Sequence, residues 1–209
     1  MQNQNTNQSG QQMSPNMQPN PTSHSNNHGG HEIFDAHEVL AGFISLLDQY
    51  QMYEQHIQDP ELKDINQRQA AFVTQTYNTM VEAFSTGQDP TIPTQQYKMT
   101  QNNDVVYGVE PSQPKKPNTS VNELSDQGLS AYMLGNTKSL STLLAMTALE
   151  MTNPVLRRVI ADSVPNFIEL SYEIFLYQNK HGYYQVPQLM QQDMNLMLSS
   201  YTKASNISH

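Results

Sequence analysis

Two short dipeptides, Asp59-Pro60 and Asn153-Pro154, constrain most strongly what this chain can fold into. In each, a residue that caps helices well precedes a proline, which fits best at the first position of a helix. Helical sequence patterns lie on both sides of both dipeptides, so each predicts a tight turn between two antiparallel helices. We therefore expect two helical hairpins.

The first hairpin is predicted over residues 32–85. Apolar residues recur there three, four or seven positions apart, which is the spacing of one helix face. The first helix is expected to bury Ile33, Leu40, Phe43, Ile44, Leu47, Tyr50 and Ile57. The second is expected to bury Leu62, Ile65, Phe72, Val73, Tyr77, Met80, Val81 and Phe84. Gly87 follows directly and is a residue type that commonly ends a helix.

The second hairpin is predicted over residues 120–182. Ser120 and Glu123 have the spacing of a capping box, and Ser125-Asp126 offers a competing start. The third helix is expected to bury Leu129, Tyr132, Met133, Leu140, Leu143, Leu144 and Met151. The fourth is expected to bury Leu156, Val159, Ile160, Val164, Phe167, Ile168, Ile174 and Phe175. Pro165 lies inside the fourth helix and predicts a kink.

A shift of 94 positions lays the second hairpin on the first. Asp59-Pro60 then meets Asn153-Pro154, and Leu62 meets Leu156. Any two amphipathic helices share part of such a pattern, so an internal duplication and a chance likeness both stay open.

Residues 86–119, between the hairpins, have no sustained periodicity and carry Pro90, Pro93, Pro111, Pro114 and Pro117. A loop of this length is unusual inside a compact domain. It can run back along a helix of about 25 residues, which is about 37 Å long. Two antiparallel hairpins joined by a long crossover predict an all-α, ferritin-like four-helix bundle.

Residues 1–31 contain no Asp, Glu, Lys or Arg and are rich in Gln and Asn, which predicts a disordered tail. His24, His28 and His31 lie in it at a spacing that can hold a metal ion weakly. We interpret them as incidental, because a flexible tract lacks the outer contacts that fix metal ligands.

The C-terminal segment, residues 183–209, contains a short Met-rich amphipathic stretch. Its apolar residues at helical spacing are Leu189, Met190, Met194, Met197, Leu198 and Tyr201. Methionine adapts to irregular surfaces, so the stretch suits docking on a partner or on a second copy. The favoured expectation is a short fifth helix folded onto its own bundle.

Composition excludes several classes of function. The 209 residues include no cysteine, which excludes disulfides, thiolate zinc sites and cysteine nucleophiles. A net charge of −9 with only ten Lys and Arg argues against nucleic acid as a partner. No run of eighteen apolar residues occurs, so no membrane span is expected, and the N-terminal region lacks the hydrophobic segment of a secretion signal.

A ferritin-like bundle raises the hypothesis of a dinuclear metal centre, built from a Glu on each of two helices and a Glu-x-x-His on each of the others. This chain has no Glu-x-x-His. The nearest candidate ligands are His37, Glu38, Glu54, His56, Glu82, Glu150, Glu169 and Glu173. Arg68, between Gln67 and Gln69, lies where the second helix would supply a ligand, and its charge repels a cation. We therefore expect no metal, no cofactor and no catalytic residues.

Glu54 and Glu150 lie near helix ends beside apolar stripes. Glu150 is expected to pair with Arg157 or Arg158 across the turn. A structural ion pair of this kind is favoured over a role as general acid or base.

Residues 124–189 resemble the coat F domain of spore-forming, Bacillus-type bacteria. The motif begins with Ser125-Asp126 and continues through the run from Ala148 to Arg157 to an aromatic ending before Pro187. Its signature residues are Lys138, Glu150, Asn153, Pro154, Arg157, Gly182, Tyr183 and Tyr184. Tyr183 stands where the family often has Trp, which keeps an aromatic residue at that place.

The resemblance implies a non-enzymatic structural component of the spore coat with a ferritin-like fold and no catalytic residues. It implies synthesis in the cytoplasm during sporulation and packing with other coat proteins, and it allows a homodimer. One alternative is a dinuclear-metal oxidoreductase. Another is an adaptor crosslinked through its Gln-rich tail and lysines such as Lys115 and Lys116.

Overall fold

The computed structural model describes residues 28–205. It contains five α-helices, namely α1 (Gly30–Glu54), α2 (Pro60–Thr86), α3 (Asp126–Glu150), α4 (Pro154–Lys180) and α5 (Gln191–Leu198). A short 3-10 helix spans Val121–Glu123. The described residues contain no β-strand, only isolated bridges from Tyr107 and Gly108 to Val186. The predicted all-α class is confirmed.

The predicted proline turns form as expected. At the start of α2, Asp59 Oδ1 accepts a hydrogen bond from Glu61 N at 2.9 Å. At the start of α4, Asn153 Oδ1 accepts from Val155 N and Leu156 N at 2.9 and 3.0 Å. Both α2 and α4 contain 27 residues and begin with the proline of their dipeptide.

Of the two residues predicted to start α3, Ser125 is the one that caps it: its Oγ accepts a hydrogen bond from Gly128 N at 3.3 Å. Ser120 caps only the 3-10 helix. Helix α4 continues through Pro165, which lacks the N–H for one helical hydrogen bond. At the other end of the chain, α1 begins at Gly30, slightly before the predicted end of the tail at residue 31, and residues 1–27 of that tail lie outside the described residues.

Helices α1 to α4, which we call the helical body, pack so that each contacts two others. Helix α1 packs on α2 and α3, and α4 packs on the same two. Helices α1 and α3 run antiparallel, because Gly29 lies at Thr152 and Tyr53 lies beside Tyr132. The connection between α2 and α3 is the long crossover that the prolines predicted.

The core consists of apolar residues from all four long helices. Phe43 of α1 packs edge-on against Phe167 of α4, with ring centroids 5.3 Å apart. Three residues predicted to be inside, Ile44, Tyr132 and Ile168, are instead exposed. On each of these helices the apolar residues cover a wider arc than the side that faces the core, so those at the edge of the arc remain exposed.

The C-terminal helix differs from its prediction. None of the residues of α5 is buried, so the expected folding of this helix onto its own bundle is wrong. None of the helices described is both long and apolar enough to span a bilayer.

Candidate functional site: buried carboxylates at the centre and the turns

Glu173 of α4 is one of two acidic residues that are fully buried in the described part of the chain. The guanidinium of Arg68 on α2 donates from Nη2 to Glu173 Oε1 at 2.9 Å, and Gln69 donates from Nε2 to Oε2 at 3.0 Å. A buried carboxylate needs such compensation, because removing an ion from water costs several kcal/mol.

The crossover completes the shell around Glu173. Thr100 N donates to Oε1 at 3.1 Å, and the Tyr97 hydroxyl donates to Oε2. Arg68 Nη1 donates in turn to the Tyr97 hydroxyl oxygen at 2.9 Å. Each carboxylate oxygen therefore accepts two hydrogen bonds, which uses its ordinary acceptor capacity. Glu173 has no lone pair left for a metal ion.

The network continues to α1 through Gln69. Its Oε1 accepts from the Tyr50 hydroxyl at 2.7 Å, and its Nε2 also donates to Leu170 O at 3.1 Å. Burial, followed by the nearby Tyr97 and Glu173, raises the pKa of Tyr50 well above its usual value. A buried polar network with every member paired favours one arrangement of the surrounding helices.

The protonation states of Tyr50, Tyr97 and Arg68 are fixed near neutral pH by the directions in which their pKa values shift. Burial raises the pKa of Tyr97, and the hydrogen bond to Glu173 raises it further. Burial opposes the charge on Arg68, but its bonds to Asp64 and Glu173 outweigh that effect and raise its pKa. Both phenols stay protonated and Arg68 stays cationic, so neither phenol nor guanidinium is poised to exchange a proton.

The other candidate ligands lie apart. Within residues 28–205, no three His, Asp or Glu side chains come together as a metal-binding group. Glu54 accepts from Gln67 Nε2 at 2.6 Å, and Glu82 accepts from the Thr91 hydroxyl at 2.7 Å. His37 packs edge-on against Phe84. The candidate ligands named from the sequence thus do not come together among the described residues.

A second fully buried carboxylate, Glu32 at the start of α1, was missed by the sequence analysis. It accepts from Thr152 N and Asn153 N, each at 3.2 Å, and from the Thr152 hydroxyl. It also accepts from Gly29 N at 3.2 Å, and His28 Nδ1 lies 2.9 Å away. Burial would raise the pKa of Glu32, but these hydrogen bonds outweigh burial and lower it. Glu32 therefore caps the turn between α3 and α4.

Asp126 at the start of α3 does the same for the other hairpin. It accepts from Gln58 N at 2.9 Å and from Asp59 N at 3.0 Å. The shift of 94 positions that relates the hairpins places Glu32 on Asp126 and residues 58–59 on residues 152–153. Each hairpin thus caps the turn of the other. The two acids correspond to each other in the shift of 94 positions, and this correspondence is the sequence signal from which both could have been predicted.

The expected ion pair of Glu150 does not form in the described part of the chain. Glu150 is the last residue of α3 and is exposed, and so are Arg157 and Arg158. Arg158 instead lies 4.0 Å from Asp162, one turn along α4. The prediction was wrong, and because all three side chains are exposed, an ion pair between them would gain little in water.

Comparison with known proteins places these features in a family. The Coat F domain model matches residues 125–187. Over 194 residues the chain is 47% identical to the spore coat protein F-like protein YhcQ of Bacillus subtilis (strain 168). The aligned region covers 93% of this chain and 89% of YhcQ. The chain belongs to the Coat F family. No solved structure matches it.

The matched Coat F segment comprises α3, α4 and the aromatic ending after α4. Gly182 adopts the left-handed conformation with φ of 70°, which suits glycine. The amides of Tyr183 and Tyr184 then donate back to Gln178 O at 2.8 and 3.1 Å. Lys138 of α3 lies with Nζ 5.4 Å from the centre of the Tyr184 ring. These contacts end α4 and join it to α3.

The first signature cluster is also structural. Asn153 is buried and caps α4, and Pro154 is the first residue of that helix. Glu150 and Arg157 are exposed on either side of the same turn. Most of the residues that the sequence analysis named for the resemblance therefore lie at or near the two ends of α4.

Proposed function

We propose that this chain is a structural component of the bacterial endospore coat and acts by packing with other proteins. Its membership of the Coat F family and its likeness to a protein named as spore coat protein F-like support this. The observation that carries the proposal is that hydrogen bonds occupy both carboxylate oxygens of Glu173. Glu173, one of the two fully buried acidic residues among those described, is saturated by donors from α2 and the crossover.

The way the parts are joined suits a packing role. Each hairpin caps the other through Glu32 and Asp126, and the crossover is bound to α4 at several points. Asn166 accepts from Tyr97 N at 2.8 Å and donates to Gln95 O at 2.8 Å. Asn179 accepts from Val106 N at 2.6 Å and donates to Val106 O at 2.9 Å. A body fastened in this way presents a fixed surface to its neighbours.

We further propose that the helical body is a ferritin-like four-helix bundle whose centre serves stability. The order of two hairpins joined by a long crossover supports this arrangement. In a metal-binding bundle, carboxylates converge with free lone pairs. Here the guanidinium of Arg68, and not a metal ion, supplies the positive charge beside Glu173.

The two alternatives gain no support. An oxidoreductase with a dinuclear centre would need several ligands close together, whereas Glu173 is committed to Arg68. An adaptor crosslinked through lysine has exposed candidates in Lys115 and Lys116. Exposure is the ordinary condition of lysine, so it does not favour crosslinking.

The proposed location is the spore coat, and the proposed partners are other coat proteins. The test is to express an epitope-tagged copy from its own promoter in a sporulating host and to separate coat extract, spore core and growing-cell lysate. We expect the tag in the coat extract, and a cytoplasmic enzyme from the same cells, used as control, should be absent from it. Recovery of the tag only in growing cells would refute the proposal.

A further inference from the structure

The first hairpin holds most of the negative charge of this chain. Residues 32–85 contain nine Asp and Glu but only two Lys and Arg, whereas residues 120–182 contain six and four. No Lys or Arg precedes Lys63, so α1 carries five acidic residues and neither basic type. An excess of one sign on part of a surface attracts partners of the opposite sign. A partner of this hairpin should therefore be basic.

A groove between α1 and α2, which we call the α1–α2 groove, has a volume of about 290 Å³. The carboxylates of Asp48 and Glu54 line it from α1, and Asn66 lines it from α2. Leu47 and Ala70, both half-buried, add an apolar stretch to the lining. None of the lining residues is Lys, Arg or His, so the groove offers acceptors without a cation of its own.

Asn66 supplies an acceptor that the described part of the chain leaves without a donor. The residue is 1% exposed, and its Nδ2 donates to Tyr50 O at 3.2 Å. This bond fixes the orientation of the amide, because a flip would bring two oxygens together. Its Oδ1 is the one buried side-chain nitrogen or oxygen among residues 28–205 that has no hydrogen-bond partner. Since an unpaired buried acceptor is costly, a donor that enters the groove gains a favourable bond.

The spacing of the acceptors favours an alkylammonium over a metal ion. Asp48 and Glu54 are six residues apart, which is about 9 Å along α1. A cation such as Ca²⁺ holds its ligands within about 2.6 Å and does not bridge that distance. Among the described residues, no three acidic or His side chains gather at one point. An ammonium on a chain of methylenes can instead reach Asn66 Oδ1 while its stem lies on Leu47 and Ala70.

We propose that the α1–α2 groove binds a lysine side chain of a basic partner protein, with Asn66, Asp48 and Glu54 as its acceptors. This inference rests on the proposed packing function and names the chemistry of one partner. A second copy is disfavoured as that partner, because a net charge of −9 makes copies repel each other. Lysine carries a compact ammonium on a flexible stem, which suits a single buried acceptor.

The first experiment attaches an ammonium in the groove covalently, which is feasible because the chain has no cysteine of its own. Gln51→Cys, at an exposed residue of the groove lining, is made in the full chain. Aminoethyl methanethiosulfonate then attaches an ethylammonium through a disulfide, and propyl methanethiosulfonate attaches an uncharged group of similar size. The ammonium should raise the melting temperature by about 2 °C or more over the propyl group, because it supplies the donor that Asn66 lacks.

Two controls separate the site from general attraction of positive charge. The same two groups on Ala41→Cys, which is exposed on α1 outside the groove, should give melting temperatures within about 1 °C of each other. Adding Asn66→Leu to Gln51→Cys should remove the advantage of the ammonium. Adding Glu54→Gln, which keeps the shape of the side chain, should reduce it even if the Asn66 variant does not fold. An equal gain at Ala41, or a gain that survives Glu54→Gln undiminished, contradicts the inference.

The second experiment follows the binding of peptides to the nitrogen-15-labelled full chain by NMR. The probe is a capped peptide of Gly and Ser with a lysine at every third position. Matched peptides carry norleucine, which keeps the stem without the charge, or arginine. The lysine peptide should shift the side-chain amide signals of Asn66 and the backbone signals of residues 47–54. Asp48→Asn should raise its dissociation constant about threefold or more, and Glu38→Gln, at an exposed acid of α1 outside the groove, should change it less.

The remaining outcomes each overturn part of the inference. Equal shifts of Asn66 with the norleucine peptide show that the charge is not recognised, and larger shifts with the arginine peptide contradict the choice of lysine. An equal response to butane-1,4-diamine at the same ammonium concentration shows that a free polyamine is the ligand. A response to calcium or magnesium chloride shows a metal site. No response of Asn66 to any probe shows that water satisfies its Oδ1.

These outcomes are separate from the test of the coat function. A chain recovered in the coat extract can fail every binding experiment, and the proposed function then stands without this contact. A chain that binds the lysine peptide but is recovered only in growing cells refutes the proposed function and leaves the ammonium site intact.

Discussion

At the scale of single residues, two buried carboxylates determine how the parts of this protein are joined. Glu173 connects α2, α4 and the crossover, and Glu32 connects the start of α1 to the turn between α3 and α4. Each is fully buried and accepts several hydrogen bonds. Removing a partner from such a group leaves a charge without compensation, which is more costly than losing the contact alone.

The pairing of Arg68 with Glu173 gives the first prediction. Arg68→Met should lower the free energy of unfolding by about 3 kcal/mol, because it leaves Glu173 buried without its cation. Changing both residues to Met should recover part of that loss, since an apolar pair needs no compensation. Urea denaturation measures all three proteins. Arg157→Met, at an exposed arginine, serves as control and should change stability by less than about 0.5 kcal/mol. An Arg68→Met protein as stable as this control would contradict the assignment.

Glu32 gives a prediction about pH. Its pKa is lowered in the folded state from the usual 4.5, so its carboxylate stabilises the fold above that value. The contribution falls as the pH drops from 4.5 through the lowered pKa, because the unfolded chain takes up the proton first. Glu32→Gln should cost about 1–2 kcal/mol at neutral pH, and the difference from the parent chain should shrink toward acid. Denaturation across this pH range, with exposed Glu150→Gln as control, measures it. A difference that grows in acid would have the wrong sign.

At the scale of elements, the part of the crossover around Tyr97 is built into the core. Tyr97 is 6% exposed, lies edge-on to Phe72 and bonds to Glu173, while Asn166 and Asn179 hold the backbone on either side. Contacts with these partners, which come from distant parts of the sequence, order a proline-rich segment that has no periodicity of its own. Its attachment is a consequence of polar contacts more than of secondary structure.

The attachment of the crossover is testable by hydrogen exchange. Tyr97→Phe removes one donor to Glu173 and should loosen the segment, so that the amides of Tyr97 and Thr100 exchange about tenfold faster. The exchange rates of amides in the middle of α3 should be unchanged, because this segment does not contact α3 through Tyr97. Tyr107→Phe, at an exposed tyrosine of the same crossover, is the matched control. Equal effects of both substitutions would show that the bond to Glu173 does not hold the segment.

Sequence reasoning succeeded where structure is local. Asp59-Pro60 and Asn153-Pro154 start α2 and α4 because a cap and a proline act on the next few residues. It failed where partners are distant. Glu173 was considered only as a candidate metal ligand, since nothing in the sequence places Tyr97 beside it, and Glu32 was overlooked at the edge of a polar tail. The C-terminal helix was expected to find a surface on its own chain, because periodicity shows an apolar face but does not show what covers it.

At the scale of the whole molecule, the two hairpins are related by more than a shared turn. Glu32 and Asp126 occupy corresponding positions in the 94-residue register and exchange their caps. This reciprocity favours an internal duplication over a chance likeness of amphipathic helices. The centre is not symmetric, however. Glu173 corresponds to Thr79 in the first hairpin, so the carboxylate that binds Arg68 and Tyr97 has no counterpart there.

Metal content measures most directly whether the helical body is fastened by polar contacts rather than built around ions. The full chain is purified without chelators, analysed for bound metals, and melted with and without a chelator or added iron or manganese. We predict well under one metal ion per chain and the same melting temperature in all conditions. About two ions per chain, with a melting temperature that falls on chelation, would contradict the account.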